Sequence, residues 1–395
     1  MIKTEIESYN DAMCILPWDS VAIRPFAEAM PCCRFRRPHD FLNESNILMD
    51  FRNSKSWNDV REKMLRGEKL DECGQCYRDE ASGSKSTRQL DTTEYLKKGN
   101  LLPITTEPKK IRFLEIAFSN LCNLACVSCN EWFSSTWGTE KYKHGRSNPQ
   151  VLKVKVEHNS NLEDFDLSGV TQLKIIGGEP MMDQKRFINL MKRLTLEKVR
   201  LLVSTNGTVM PGQELKELLE QCEEVIYEVS LDGVGSVNEW YRWPTKMSEV
   251  ETNMDQLQEW WGNNPIFQLK VHSVINIYNV WSMDRFVNYM SNRRPNWRID
   301  FDWIRNPFWQ AICILPEEFK EDLKDRLIYW DKTVPGKWPN YKKSPFLVTI
   351  DRLYDAPNSL NELKEFKKQT LLLAKERKLD IFGIVPEIKD LFDNE

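Results

Sequence analysis

The sequence predicts an α/β protein in three parts, with a parallel sheet forming an open or partial barrel behind a cysteine-rich segment and ahead of a helical one. Three observations predict it. Six apolar, β-branched runs recur between residues 111 and 303, segments with helical spacing lie between them, and glycine-bearing turns follow several of the runs. Strands joined through helices run parallel, because a parallel return needs a crossover connection. Six such units fall short of the eight that close a complete barrel.

Taken in order, residues 1–105 are rich in cysteine, arginine and turn residues, have few long periodic segments, and read as a metal-stapled domain. Residues 106–310 change texture. Strand candidates are 111–118, 173–176, 199–204, 225–231, 267–275 and 297–303. Between them the 3.6-residue period is kept by Phe187, Met191 and Leu194, by Leu215, Leu218, Leu219 and Cys222, and by Val250, Met254, Leu257 and Trp261. Residues 311–395 read as helices packed across the barrel, including a charged, leucine-bearing one over 360–378, with no chemistry of their own.

Length and charge narrow the function classes. The chain has 395 residues, 41% hydrophobic and 29% charged, which is room for two or three globular domains. A net charge of -4 offers no general attraction to a phosphate backbone, so long nucleic acid is not an expected partner, and Arg34, Arg36, Arg37, Arg293 and Arg294 read as solvated surface. The first residues lack the apolar core of a signal peptide, and no run approaches the roughly 18 apolar residues of a membrane span, which predicts a cytoplasmic protein without membrane contact. There the ten cysteines read as metal sites rather than disulfides. Cys222 and Cys313 stand apart among apolar neighbours and read as core positions.

The densest chemical signal is Cys122, Cys126 and Cys129, a CxxxCxxC loop directly after the first strand. Structural iron-sulfur cubes take four cysteines, so three leave one iron open to a ligand. The loop, Gly177-Gly178, Asn206-Gly207 and Asp232-Gly233 all follow strand ends, where parallel α/β sheets bind ligands. The turns have a plain reading as tight bends.

This loop, with Gly177-Gly178-Glu179-Pro180 after the second strand, resembles the radical S-adenosylmethionine (radical SAM) superfamily. The resemblance implies a partial (β/α)6 TIM-like barrel, a 4Fe-4S cluster on Cys122, Cys126 and Cys129, and S-adenosylmethionine on the open iron. It places the cofactor's amino group at Gly177, Gly178 and Glu179, with Pro180 fixing the turn, and its ribose or carboxylate near Ser204, Asn206, Ser230 and Asp232. Glycines suit such a site because they permit close backbone approach and positive φ. One departure is Ser128, where many members carry an aromatic residue for adenine; Trp132 and Phe133 are the nearby aromatics. The stretch Ser134-Ser135-Thr136-Trp137 is similar to a subgroup whose loop continues in this way.

Cys14, Cys32, Cys33, Cys73 and Cys76, with Glu80, Gly83, Ser86 and Arg88, are similar to twitch or SPASM-type auxiliary-cluster modules, although many relatives carry that module after the barrel. Cys14, Cys32, Cys73 and Cys76 make a complete four-cysteine set, with Cys33 as the alternative second ligand. Four thiolates suit an iron-sulfur cube or a structural zinc, and spacing does not separate the two.

The resemblance implies reductive cleavage of S-adenosylmethionine to a 5'-deoxyadenosyl radical that abstracts hydrogen from a substrate, with electrons from a reducing protein such as flavodoxin or ferredoxin. No side-chain nucleophile is required. A saturated auxiliary cluster favours an oxidative outcome on a peptide or peptidyl residue. The alternatives are modification of a small sugar or nucleotide metabolite, and a non-catalytic iron-sulfur or zinc protein.

Overall fold

The computed structural model describes residues 11–25, 28–36, 40–41, 51–81, 85–146, 165–334, 336, 338, 343–355 and 360–393, so Arg37 and Gly83 lie outside the described residues. The chain divides into two compact units, residues 1–122, 131–204 and 211–225, and residues 123–130, 205–210 and 226–395.

The first unit runs α1 (Leu16–Asp19), β1 (Ser20–Ile23), β2 (Glu28–Met30), β3 (Asp40–Phe41), α2 (Lys55–Leu65), α3 (Gly74–Ala81), α4 (Thr87–Lys97), β4 (Phe113–Ala117), α5 (Ser135–Lys143), β5 (Gln172–Ile176), α6 (Gln184–Met191), β6 (Arg200–Thr205) and α7 (Gln213–Leu219). Its strands lie in the order β3-β2-β1-β4-β5-β6. The pairs β1–β4, β4–β5 and β5–β6 are parallel, with Ser20 opposite Phe113 and Phe113 opposite Gln172, whereas β1–β2 and β2–β3 are antiparallel. All four residues of β1 are buried, as expected of a strand covered on both faces.

The cysteine-rich segment is therefore more regular than its sequence suggests, and it supplies three strands to this sheet. Ser54 caps α2 through the Trp57 amide, and Ser86 caps α4 in a reciprocal box with Gln89. What hides these helices from a periodicity reading is arginine on their inner faces. In α2 the buried stripe is Trp57, Val60, Arg61 and Met64, and Arg61 is 0% exposed. Its guanidinium donates to the carbonyls of Pro17 (2.9 Å), Arg52 (2.7 Å) and Thr106 (2.9 Å). At the sheet, Arg112 pairs with Asp19 at 2.6 Å and donates to Gln172.

The second unit holds β7 (Glu224–Ser230), α8 (Ser236–Tyr241), α9 (Met247–Trp261), β8 (Phe267–Ile275), α10 (Met283–Arg293), β9 (Arg298–Trp303), α11 (Glu317–Thr333), α12 (Pro345–Leu353) and α13 (Leu360–Arg377). Strands lie in the order β7-β8-β9, with β8 and β9 parallel from Lys270 opposite Arg298 to Ile275 opposite Trp303. Lys270 pairs across them with Glu228 (2.6 Å) and Asp300 (3.0 Å). The inner face of α9 is the predicted one, with Val250, Met254, Leu257 and Trp261 buried, and Trp261 stacks on Phe267 at 4.2 Å.

All six predicted strands are present, as β4 to β9, in an α/β arrangement with parallel ladders. Cys222 and Cys313 are buried as expected. Arg294 corrects its surface reading: it is 4% exposed, pairs with Asp255 at 2.7 Å and donates to the Glu251 carbonyl, because its long stem lets the head reach back along α9. Among the described residues no helix is long and apolar enough to cross a membrane.

Replacing Arg61 with Met keeps the apolar stem but removes its donors from three carbonyls, of which that of Pro17 keeps another, the Trp57 indole, and it should destabilise the protein by about 3 kcal/mol. Urea denaturation monitored by tryptophan fluorescence checks this, and a loss below about 1 kcal/mol would show that water satisfies those carbonyls.

Candidate functional site

In the first unit, β4 ends at Ala117 and the chain turns through Ser119, Asn120 and Leu121 into Cys122. This turn and Gly177-Gly178 are packed backbone to backbone. A Cβ on Gly177 would lie 2.2 Å from the Ala117 Cβ, and one on Gly178 would lie 2.4 Å from the Leu121 carbonyl oxygen. Both glycines also take positive φ, +78° and +52°, so packing and dihedral independently exclude a side chain. The Glu179 amide donates to that same Leu121 carbonyl at 2.7 Å. Glu179 itself is buried, and its carboxylate accepts from the Met181 amide at 3.0 Å, capping a turn that Pro180 opens.

Cys122 is buried and its backbone is held on both sides. Its amide donates to the Ser135 hydroxyl at 3.2 Å, and its carbonyl accepts from the hydroxyls of Ser135 (3.2 Å) and Thr136 (2.6 Å). Ser134 caps α5 through the Trp137 amide. The serine pair singled out in the sequence thus divides its work between starting a helix and clamping a cysteine. Phe133 lies under the Arg24 guanidinium, and Trp132 is 51% exposed.

In the second unit, Asn123 to Asn130 are fixed by residues distant in sequence. The amides of Ala125 and Val127 donate to the carbonyls of Trp243 (2.6 Å) and Tyr241 (2.7 Å). Their own carbonyls accept from the Arg377 guanidinium (2.8 Å) and the Gln310 side-chain amide (2.9 Å). The Cys129 amide closes a turn on the Cys126 carbonyl at 2.9 Å. Burial pushes the Cys126 thiol pKa up, Arg242 and Arg377 act against that, and Asp232 adds to it.

Of the predicted polar rim residues, Asn206 holds a turn and Asp232 ties to a strand and an arginine. Asn206 donates to the Asn123 side chain at 2.9 Å and accepts from the Thr208 amide at 2.9 Å. Asp232 is buried, accepting from the Val274 amide at 2.6 Å and pairing with Arg242 at 2.7 Å. Ser204 and Ser230, near the ends of β6 and β7, are only partly covered. His272 sits 3.4 Å from Asp302 across β8 and β9.

The first unit also gathers the other cysteines. Cys14, Cys32, Cys73 and Cys76 line one cavity with Phe35, Thr87 and Arg88. Burial raises the thiols of Cys14, Cys32 and Cys73, the last to about 12, and neighbouring cysteines of the set add to each shift. Arg88, beside the cavity, donates to the Met13 carbonyl at 2.8 Å and forms a forked pair with Glu80, which also accepts from Ser86. Cys33 keeps different company. Its thiol is raised to about 11, first by burial and then by Glu115, with Lys174 opposing, and Glu115 in turn pairs with Lys174 at 3.1 Å. Among the described residues no group of three or more His, Cys, Asp or Glu side chains is arranged to hold a single metal ion as it stands. The four-thiol donor set around one cavity is nonetheless of the type that takes a cluster.

Two residues of this neighbourhood escape a sequence reading, Gln310 and Arg377. Arg377 did leave a trace: it lies four residues after Leu373 and seven after Thr370, on the buried stripe of α13.

Residues 111–238 match the family model described as a 4Fe-4S single cluster domain, under half of the chain. A curated relative, "Probable GTP 3',8-cyclase" of Archaeoglobus fulgidus, is 30% identical over 147 residues, which are 37% of this chain and 43% of that protein. The chain thus spans less than half the length of that relative. Among solved structures, "Native anSMEcpe with bound AdoMet and Cp18Cys peptide" aligns over 56% of this chain and 60% of its own, at 14% identity and a TM-score of 0.36. Streptococcus suis SuiB bound to precursor peptide SuiA aligns over 87% and 67%, at 12% identity and a TM-score of 0.34. Both likenesses are too distant to bear on the chemistry of this chain. The family model is that of a 4Fe-4S single cluster domain, and the segment it matches contains the CxxxCxxC loop.

Proposed function

We propose that this chain is a cytoplasmic radical SAM enzyme whose 4Fe-4S cluster is held by Cys122, Cys126 and Cys129, and that it oxidatively modifies a peptide or peptidyl residue. When bound, the cluster and S-adenosylmethionine supply a 5'-deoxyadenosyl radical able to take hydrogen from an unactivated carbon. The observation that carries the reading is the CxxxCxxC loop inside the segment that matches a 4Fe-4S single cluster domain, residues 111–238.

The chain's own part is binding, orientation and exclusion of water. Gly177, Gly178, Glu179 and Pro180 are proposed to receive the amino group of S-adenosylmethionine, and Ser204, Asn206, Ser230 and Asp232 its ribose or carboxylate. Cys14, Cys32, Cys73 and Cys76 are proposed to hold an auxiliary iron-sulfur cluster, a reading their shared cavity supports. The distinct surroundings of Cys33 support leaving it out of that set. On this reading residues 1–105 form the auxiliary module, 106–310 the partial barrel and 311–395 the helical extension, and a flavodoxin or ferredoxin delivers electrons.

A second substrate class, a nucleotide or sugar metabolite, is favoured by one finding, the 30% identity to a protein named as a probable GTP 3',8-cyclase. The two classes are separated by offering deuterated candidates of each and following deuterium into 5'-deoxyadenosine by mass spectrometry.

Anaerobically reconstituted protein should contain about 8 iron atoms and release 5'-deoxyadenosine when given dithionite and S-adenosylmethionine. Changing Cys122, Cys126 and Cys129 together to Ala should abolish that release and leave about 4 iron atoms. A wild-type protein with an intact cluster and no 5'-deoxyadenosine would instead be a binding protein. Retention of one zinc and no iron in the triple variant would remove the auxiliary cluster.

Gly178→Ala forces a Cβ onto the Leu121 carbonyl at positive φ, and it should cost about 2 kcal/mol of stability and at least roughly tenfold in S-adenosylmethionine affinity. Urea denaturation and equilibrium dialysis read the two effects. Unchanged affinity in folded protein would take the Gly-Gly-Glu-Pro segment out of the cofactor site.

A further inference from the structure

Parallel sheets are ordinarily covered on both faces, but the sheet of the first unit has one closed face and one partly open one. Leu114, Ile116, Leu173 and Ile175 are buried on the closed face, whereas Phe113, Lys174 and Ile176, on the other, are only partly covered. That second face carries charge at its centre. Glu115 of β4 lies there, opposite Ala22 of β1 and Lys174 of β5, and it is 2% exposed. A carboxylate so far from water needs positive charge beside it. Lys174 supplies it at 3.1 Å, while the Nη1 of Arg24 stands farther off, 3.9 Å from the same carboxylate.

Arg24 directly follows the last residue of β1 and is held from several sides. Its Nη2 donates to the Cys33 carbonyl at 2.9 Å, and its guanidinium carbon lies 5.9 Å from the centre of the Phe133 ring. The next residue, Pro25, packs beside the Gly177 turn, its Cγ 3.7 Å from where a Cβ on that glycine would stand. The guanidinium thus sits at the carboxyl end of a strand with parallel pairing, where sheets of this kind bind ligands. The Arg24 side chain remains 20% exposed, and among the described residues the Cys33 carbonyl is the one hydrogen-bond acceptor it meets. A guanidinium has five donors in a planar fork that matches a carboxylate or a phosphate. Held in place with donors to spare, this one is built to receive such a group.

We infer that Arg24 is a specificity-determining residue that receives an anionic group of the substrate, a carboxylate or a phosphate, beside the Gly177-Gly178 turn. The inference rests on the proposed radical SAM reading for the reaction that follows, whereas the binding step is independent of it.

The test is isothermal titration calorimetry of reconstituted, full-length protein with two probes, inorganic pyrophosphate and the acidic peptide acetyl-Glu-Glu-Glu-amide. At least one should bind wild type saturably, pyrophosphate marking a phosphate-bearing substrate and the peptide a carboxylate-bearing one. Arg24→Gln should weaken that binding at least about tenfold. Arg24→Lys, which keeps the charge without the fork, should recover part of the loss. Arg36→Gln removes an exposed charge from the same segment and should leave binding unchanged. Failure of both probes to bind wild type, or an equal loss in Arg36→Gln, would overturn the inference. So would an about tenfold loss of S-adenosylmethionine affinity in Arg24→Gln by equilibrium dialysis, because the guanidinium would then serve the cofactor. Should Arg24→Gln not fold, phenylglyoxal labelling of Arg24 in wild type, followed by peptide mass spectrometry, is the second readout. The bound probe should suppress that labelling, and an undiminished rate would overturn the assignment. A wild-type protein that releases no 5'-deoxyadenosine fails the enzyme reading instead, on which the titration does not depend.

Discussion

The carbonyl of Leu121 is the point on which the first half of the cysteine loop is built. It accepts the Glu179 amide and lies so close to Gly178 that no Cβ fits between them. A backbone contact of this kind carries no side-chain freedom, so the residue after it, Cys122, starts from a fixed direction. The hydroxyls of Ser135 and Thr136 then remove the remaining play in Cys122 itself. A backbone held in this way has already lost its conformational freedom on folding, about 1–2 kcal/mol per residue.

The second half of the loop follows the same logic with different partners. Val127 and Ala125 are held by Gln310 and Arg377, residues more than 180 positions away in the chain. Long-range donors of this kind make the loop's geometry conditional on the whole second unit being folded. Arg377, like Arg242, also brings positive charge toward Cys126, where it acts against the effect of burial on the thiol.

How much of this was legible in the sequence depends on which physical signal each residue emits. Strands β4 to β8 are carried by Val, Ile and Leu and declare themselves, as does β9 through Ile299, Phe301 and Trp303; so does α9, whose apolar residues fall on one stripe. Helices α2 and α4 are obscured because Arg61 and Arg88 occupy buried positions, and a hydropathy reading counts them as solvent-facing. Arg294 misleads for the same reason. The cysteine spacings single out Cys14, Cys32, Cys73 and Cys76, which the fold brings to one cavity, but Cys32 and Cys33 are adjacent, and only the fold distinguishes the one that lines that cavity from the one beside Glu115. Arg377 was invisible as chemistry because its target is a backbone carbonyl, which leaves no mark on composition.

The parallel pairing of β1 with β4 has a consequence for how this architecture can be taken apart. The cysteine-rich segment is not an appendage: its strand covers the flank of β4, from Ser20 opposite Phe113 to Ile23 opposite Ile116. A chain begun after residue 105 would expose that flank as a row of unpaired amides and carbonyls beside the apolar residues Leu114 and Ile116. Bare edges of this sort recruit strands from neighbouring molecules. The segment that gathers the second set of cysteines thus also serves as the sheet's cover against self-association, and the two services are inherited or lost together.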